Sequence, residues 1–192
     1  MGFTTASARL LAGIAAVGLL LTGCAAGPAD QAGEHDDADI TFVQSMIPHH
    51  RQAVEMADLV GGRSRNAGVV DLAARIGAGQ QPEIDTMTGW LQEWGAETPA
   101  DGDAMGGMDH GDMGGSGGMM TPEQMQGLVV ASGPAFDRMF LEMMTAHHRG
   151  AVEMARIELR DGADPDALAL ARTIVDTQQA EITEMEMLLQ QL

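Results

Sequence analysis

Two dipeptides hold the residues best suited to chemistry in this chain. His49-His50 and His147-His148 each sit in a run of small and apolar residues, with Met46 and Met56 flanking the first pair and Met144 and Met154 the second. A neutral imidazole binds transition metals, and a thioether is a soft donor that favours Cu(I). Imidazole serves both copper oxidation states, whereas neither donor suits Mg²⁺ or Ca²⁺, which require oxygen. Methionine at helical spacing is ordinarily core filler, and a histidine on an apolar face is ordinarily a hydrogen-bonded core residue. Here four imidazoles recur in two matched settings. Burying them in a small domain is unfavourable unless something satisfies their nitrogens. A third cluster, Met105, Met108, His110 and Met113, lies in a Gly-rich stretch where core packing does not explain the sulfur. These residues could wrap one soft ion; low-complexity drift is the plainer alternative.

The elements that must position these residues come twice. Residues 39–91 align without gaps on 137–189, and about 20 of the 53 positions are identical. The densest match sets Met46-Ile-Pro-His-His-Arg-Gln-Ala-Val-Glu-Met-Ala57 against Met144-Thr-Ala-His-His-Arg-Gly-Ala-Val-Glu-Met-Ala155. A second sets Gln80-Gln-Pro-Glu-Ile84 against Gln178-Gln-Ala-Glu-Ile182. Phe42, Met46, His49, Ala53, Met56 and Val60 fall at spacings of four and three, the stripe of an amphipathic helix. Pro48 inside that pattern predicts a kink or a first turn. Gly61-Gly62 ends the helix, and in the second copy Gly162 stops it while Asp164 caps the next helix with Pro165 at its first position. A second helix is predicted over roughly 67–93, with Leu72, Ile76, Gln80, Glu83, Met87 and Leu91 on its inner stripe; Glu83 and its counterpart Glu181 could ligate, or accept the other ring proton of a histidine. Arg51–Glu55 and Arg149–Glu153 are spaced to pair along their helices. No strand pattern occurs. Two hairpins with one apolar face each bury those faces best against each other, giving an all-α four-helix bundle of two repeated hairpins.

Composition narrows the function. Ten basic residues, all arginine, face 28 acidic ones, a net charge of −18. That field repels nucleic acid and anionic lipid. The absence of lysine excludes Schiff-base and P-loop chemistry. One cysteine excludes an intramolecular disulfide or a Cys-rich metal site. That cysteine, Cys24, closes Leu21-Thr-Gly-Cys24 after a short basic start and an apolar stretch too short to span a bilayer. The motif looks like a bacterial lipobox, which implies cleavage before Cys24, lipid on its thiol and anchoring to the cell membrane outside the cytoplasm. The expected organisation is a signal peptide over 1–23, a flexible tether over 24–38 and a bundle over 39–192. Within the bundle come a repeat at 39–93, a Met/Gly/His-rich connector at 95–121 and a repeat at 122–192.

The paired HHRxAVEMA motifs (49–57 and 147–155), the QQxEIxxM motifs, and MMTPEQM (119–125) followed by FDRMFLEMM (136–144) closely resemble the domain-of-unknown-function 305 family, from Asp39 to Leu192. The resemblance implies a ferritin-like four-helical fold in secreted or lipid-anchored bacterial proteins, some of which are similar to periplasmic copper-binding proteins. Carried over, it points to His49, His50, Met46 and Met56 with His147, His148, Met144 and Met154, and to copper as the ion. Pro48 stands where the second copy has Ala146. The expectation is therefore a metal-binding lipoprotein rather than an enzyme, with no catalytic residue indicated and no protein partner identified. Two alternatives are an interaction module with purely structural histidines and a ferritin-like redox enzyme. The second would want Glu-x-x-His on its helices, a pattern absent from the sequence.

Overall fold

The computed structural model describes residues 35–100 and 117–192. Among these, five helices and no strand occur: α1 (Asp37–Asp58), α2 (Ala67–Glu93), α3 (Pro122–Val130), α4 (Gly133–Asp161) and α5 (Pro165–Leu189). Local chemistry fixes the boundaries. Asp36 caps α1 in a reciprocal box with Asp39, Asn66 accepts from the amides of Gly68 and Val69 to start α2, and Asp164 does the same for α5 through Asp166 and Ala167. Gly62, at φ +81°, turns the chain out of α1. Pro48 and Pro82 both lie inside helices rather than at their starts.

The short helix α3 was not expected. Thr121 and Gln124 form a second capping box with Pro122 at the first position, and that start signal nucleates a nine-residue helix too short to show a clear period. The four long helices make the expected bundle.

Within the bundle, α1 packs on α2, α4 on α5, and the two hairpins meet mainly through α1 and α4. The last pair is antiparallel. The Asp39 carboxylate near the start of α1 accepts from the amides of Ala163 and Asp164 after α4, and the Gly133 amide at the start of α4 donates to the Arg63 carbonyl after α1 at 2.8 Å. Two apolar clusters form the core. One joins Met56 and Ala53 to Phe136, Phe140 and Met144; the other joins Phe42, Met46 and Ile47 to Ala151 and Ala155. Between them, at the middle of α1 and α4, lies the layer of histidines. No helix among the described residues is long and apolar enough to cross a membrane.

Candidate metal centre

Neighbouring helix residues diverge by about 100° around the axis, so the two histidines of each pair must serve different neighbours. His49 and His147 face each other across α1 and α4, their ring centroids 3.7 Å apart and their planes inclined by 36°. His50 turns to α2, where its Nε2 lies 2.8 Å from Glu83 Oε2, and His148 turns to α5, where its Nε2 lies 2.8 Å from Glu181 Oε2. All four imidazoles are buried.

These partners dictate which nitrogen is free. A carboxylate or carbonyl only accepts, so His50 and His148 donate through Nε2 to their glutamates, and His49 donates through Nε2 to the Gly117 carbonyl at 3.0 Å. Each then presents Nδ1. The Nδ1 atoms of His49, His50 and His148 and both nitrogens of His147 are buried without a protein partner. Burial, reinforced by the neighbouring His50, depresses the His49 pKa to about 3 against the opposing pull of the Gly117 carbonyl. Burial first, and the facing His49 second, hold His147 well below the ordinary range. Both rings are therefore neutral near pH 7, the form that ligates a metal.

The methionines bracket this layer. Met46 is fully buried in one apolar cluster, with half-buried Met154 packed against it; Met56 and Met144 are fully buried in the other. Each cluster thus supplies one thioether from each repeat, on opposite sides of the imidazoles. Met105, Met108, His110, Met113 and Cys24 lie outside the described residues. Among those described, no three His, Cys, Asp or Glu side chains converge into a ready metal cage. The donors on hand are paired imidazoles with thioethers to either side.

Sequence reading missed the residues that bring the connector here. Gln52 donates through Nε2 to the Met120 carbonyl at 2.9 Å and accepts from the Met120 amide at 2.7 Å, both bonds buried. At the matching position α4 has Gly150, and a Cβ there would collide with the Gly117 backbone. Gly118, at φ +82°, lies so close to the α4 carbonyls of Ala146 and His147 that it too has no room for a side chain. At the connector's other end, Arg51 donates to the carbonyls of Pro99 at 2.8 Å and Ala100 at 3.4 Å. Both flanks of residues 101–116 are thus tied to one turn of α1, the turn that carries His49. The signal was present as the single Gln/Gly difference inside HHRxAVEMA. The expected Arg149–Glu153 pair is replaced by a bridge from Arg149 to Glu186 on α5, which lies closer to the guanidinium at 2.8 Å.

The family model for the domain of unknown function DUF305 matches residues 39–189. The chain belongs to the DUF305 family. This is the family expected from the motifs, and solved DUF305 structures share the fold. A candidate secreted DUF305 protein from Streptomyces coelicolor is 34% identical, the match covering 80% of this chain and 93% of that one at TM-score 0.70. A DUF305 fragment from Deinococcus radiodurans is 33% identical over 82% and 99% of the two chains, at TM-score 0.71. CopM in its Cu(II)-bound form is 32% identical over 80% and 96%, at TM-score 0.67, and CopM is also known in Cu(I)-bound, silver-bound and apo forms. No curated protein matches the sequence.

Proposed function

We propose that this DUF305 protein binds copper outside the cytoplasm, as a lipid-anchored protein that sequesters Cu(I) or hands it on. The observation that carries the reading is the set of five buried imidazole nitrogens without a protein partner. Orphaned polar atoms of this kind are unfavourable unless a ligand completes them, and neutral imidazole flanked by thioether is a copper donor set. His49 and His147 hold the ion at the centre, with His50 and His148 beside them. Met46, Met56, Met144 and Met154 supply sulfur from the two apolar clusters. Glu83 and Glu181 orient the outer rings, since a carboxylate on Nε2–H leaves Nδ1 to the metal. Met105, Met108, His110 and Met113 join through a connector whose flanks are both tied to the His49 turn. The Cu(II)- and Cu(I)-bound forms of CopM support copper as the ion.

Copper here is cargo. The protein's part is to present soft donors, exclude water and keep His49 and His147 unprotonated. Competition of Cu(I) against a chelator tests this: His49→Ala/His147→Ala lowers affinity by at least about tenfold, while an unchanged affinity ends the bundle site. The lipid anchor is tested by labelling cells with a radioactive fatty acid: the wild type is labelled and Cys24→Ala is not.

A further inference from the structure

A second place in the molecule meets the description of a ligand site, and the copper reading leaves its glutamines unused. Between α2 and α5 lies a cavity of about 30 Å³ lined by Ile76, Gly79, Gln80 and Glu83 and by Ile174, Thr177, Gln178 and Glu181. Each residue in the second set stands 98 positions after one in the first, so the cavity straddles the axis relating the two repeats and its glutamine and glutamate donors come twice. Its volume admits one or two waters or a single ion and excludes any organic ligand.

Its walls carry buried polar side chains. Gln80 and Gln178 are 4% and 3% exposed. Both amide atoms of Gln80 and the amide oxygen of Gln178 are without a protein partner. Glutamine buried in this way is unfavourable unless something in the cavity completes its bonding. Glu83 and Glu181 each commit one oxygen to a histidine, which leaves each a second to give. Their side chains keep 21% and 11% of their exposure, a route by which an ion can enter. No arginine lines the cavity to balance the two carboxylates.

We infer that this axial cavity binds one oxygen-seeking divalent cation of the Mn²⁺ or Ca²⁺ class, held by Glu83, Glu181 and the amide oxygens of Gln80 and Gln178. Two carboxylate and two amide oxygens make a hard donor set, the opposite of the imidazole and thioether layer beside it. Half its donors are glutamine, so it is not a cluster of His, Cys, Asp and Glu. The site shares Glu83 and Glu181 with the copper reading, where they orient His50 and His148, but takes no imidazole or sulfur as a donor.

The test uses the full chain in detergent, with Mn²⁺ as the probe. Electron paramagnetic resonance of free Mn²⁺ should report one tight site per chain above the weak binding of the acidic surface. Ca²⁺ should compete for it. Gln80→Leu/Gln178→Leu should weaken the site at least about tenfold, and His49→Ala/His147→Ala should leave it intact, so loss of the copper site and loss of this one are separable. The wild type provides a reading that needs no variant: one equivalent of Mn²⁺ should broaden the side-chain amide resonances of Gln80 and Gln178 before any others. If those resonances are untouched, or the Leu variant folds and binds Mn²⁺ as well as the wild type, the cavity holds water alone and the inference is overturned.

Discussion

The two repeats agree where they face inward and differ where something docks on them. His49 mirrors His147, and the His50–Glu83 contact mirrors His148–Glu181 at the same 2.8 Å. At the next position the symmetry stops: Gln52 clamps Met120, while Gly150 makes room for Gly117. The ends of the bundle differ as well. Asp39 meets Glu158, whereas Val60 stands at the position in the first repeat that corresponds to Glu158. Burial, and then Asp39, raise the Glu158 pKa to about 8. Burial opposes ionisation of Asp39, but the Glu158 carboxyl and the amides of Asp36, Asp164 and Ala163 outweigh it and hold Asp39 low. The pair therefore shares a proton at neutral pH, and Gly162 leaves space for the Glu158 carboxyl that a Cβ would fill. The internal symmetry serves the interior, and its departures place the connector and one corner.

The sharpest way to break this contrast is to impose the first repeat's residue on the second. Gly150→Gln drives a side chain into the backbone of Gly117 and should destabilise the fold by about 3 kcal/mol, read by chemical denaturation, with faster proteolysis of the connector. Gln52→Ala keeps the shape but strands the Met120 amide and carbonyl, an expected loss of about 2 kcal/mol.

Titration separates the corner from the interior. A raised Glu158 means the folded state holds a proton that the unfolded state has released between pH 4.5 and about 8, so stability falls as pH climbs through that window. Glu158→Gln should flatten this slope and be more stable than wild type at pH 8 by on the order of 2 kcal/mol, read as a higher Tm. His49 works in the other direction. Its pKa is depressed to about 3, so the unfolded state takes up the proton first and stability is lost as pH falls below 6.5. Melting of the metal-free protein should show that acid loss undiminished in Glu158→Gln.

The smallest effect comes from the paired arginines. Arg149 makes an exposed bridge to Glu186, and Arg149→Ala should change stability by less than about 0.5 kcal/mol. Arg51→Ala should change it more, because its partners are backbone carbonyls of the connector's flank. Equal effects in denaturation would erase the distinction.

Much of this was legible in the sequence because it rested on periodicity and on strong local signals. Apolar stripes gave the long helices, Gly61-Gly62 their first break, and Asp164-Pro165 the start of α5. The inward aim of the histidines followed from their place on the stripes. What escaped were features without a period: α3, begun by a capping box but only nine residues long, and the docking of residues 117–120, decided by contacts nearly seventy positions apart along the chain. The buried glutamines were visible on their stripes, but nothing local marked them as unpartnered. That depends on the repeats meeting across the axis.

The turn that carries His49 also works as the neck of a loop. Because His49, Arg51 and Gln52 hold both flanks of residues 101–116 there, the span between them closes on nearly the same point whatever its length. Closure entropy rises only logarithmically with length, about 0.6 kcal/mol for each doubling. Segments could therefore be spliced into or cut from that span while the scaffold keeps its shape, so the number of sulfur atoms the connector carries is an adjustable quantity, set by insertion rather than by redesign of the core.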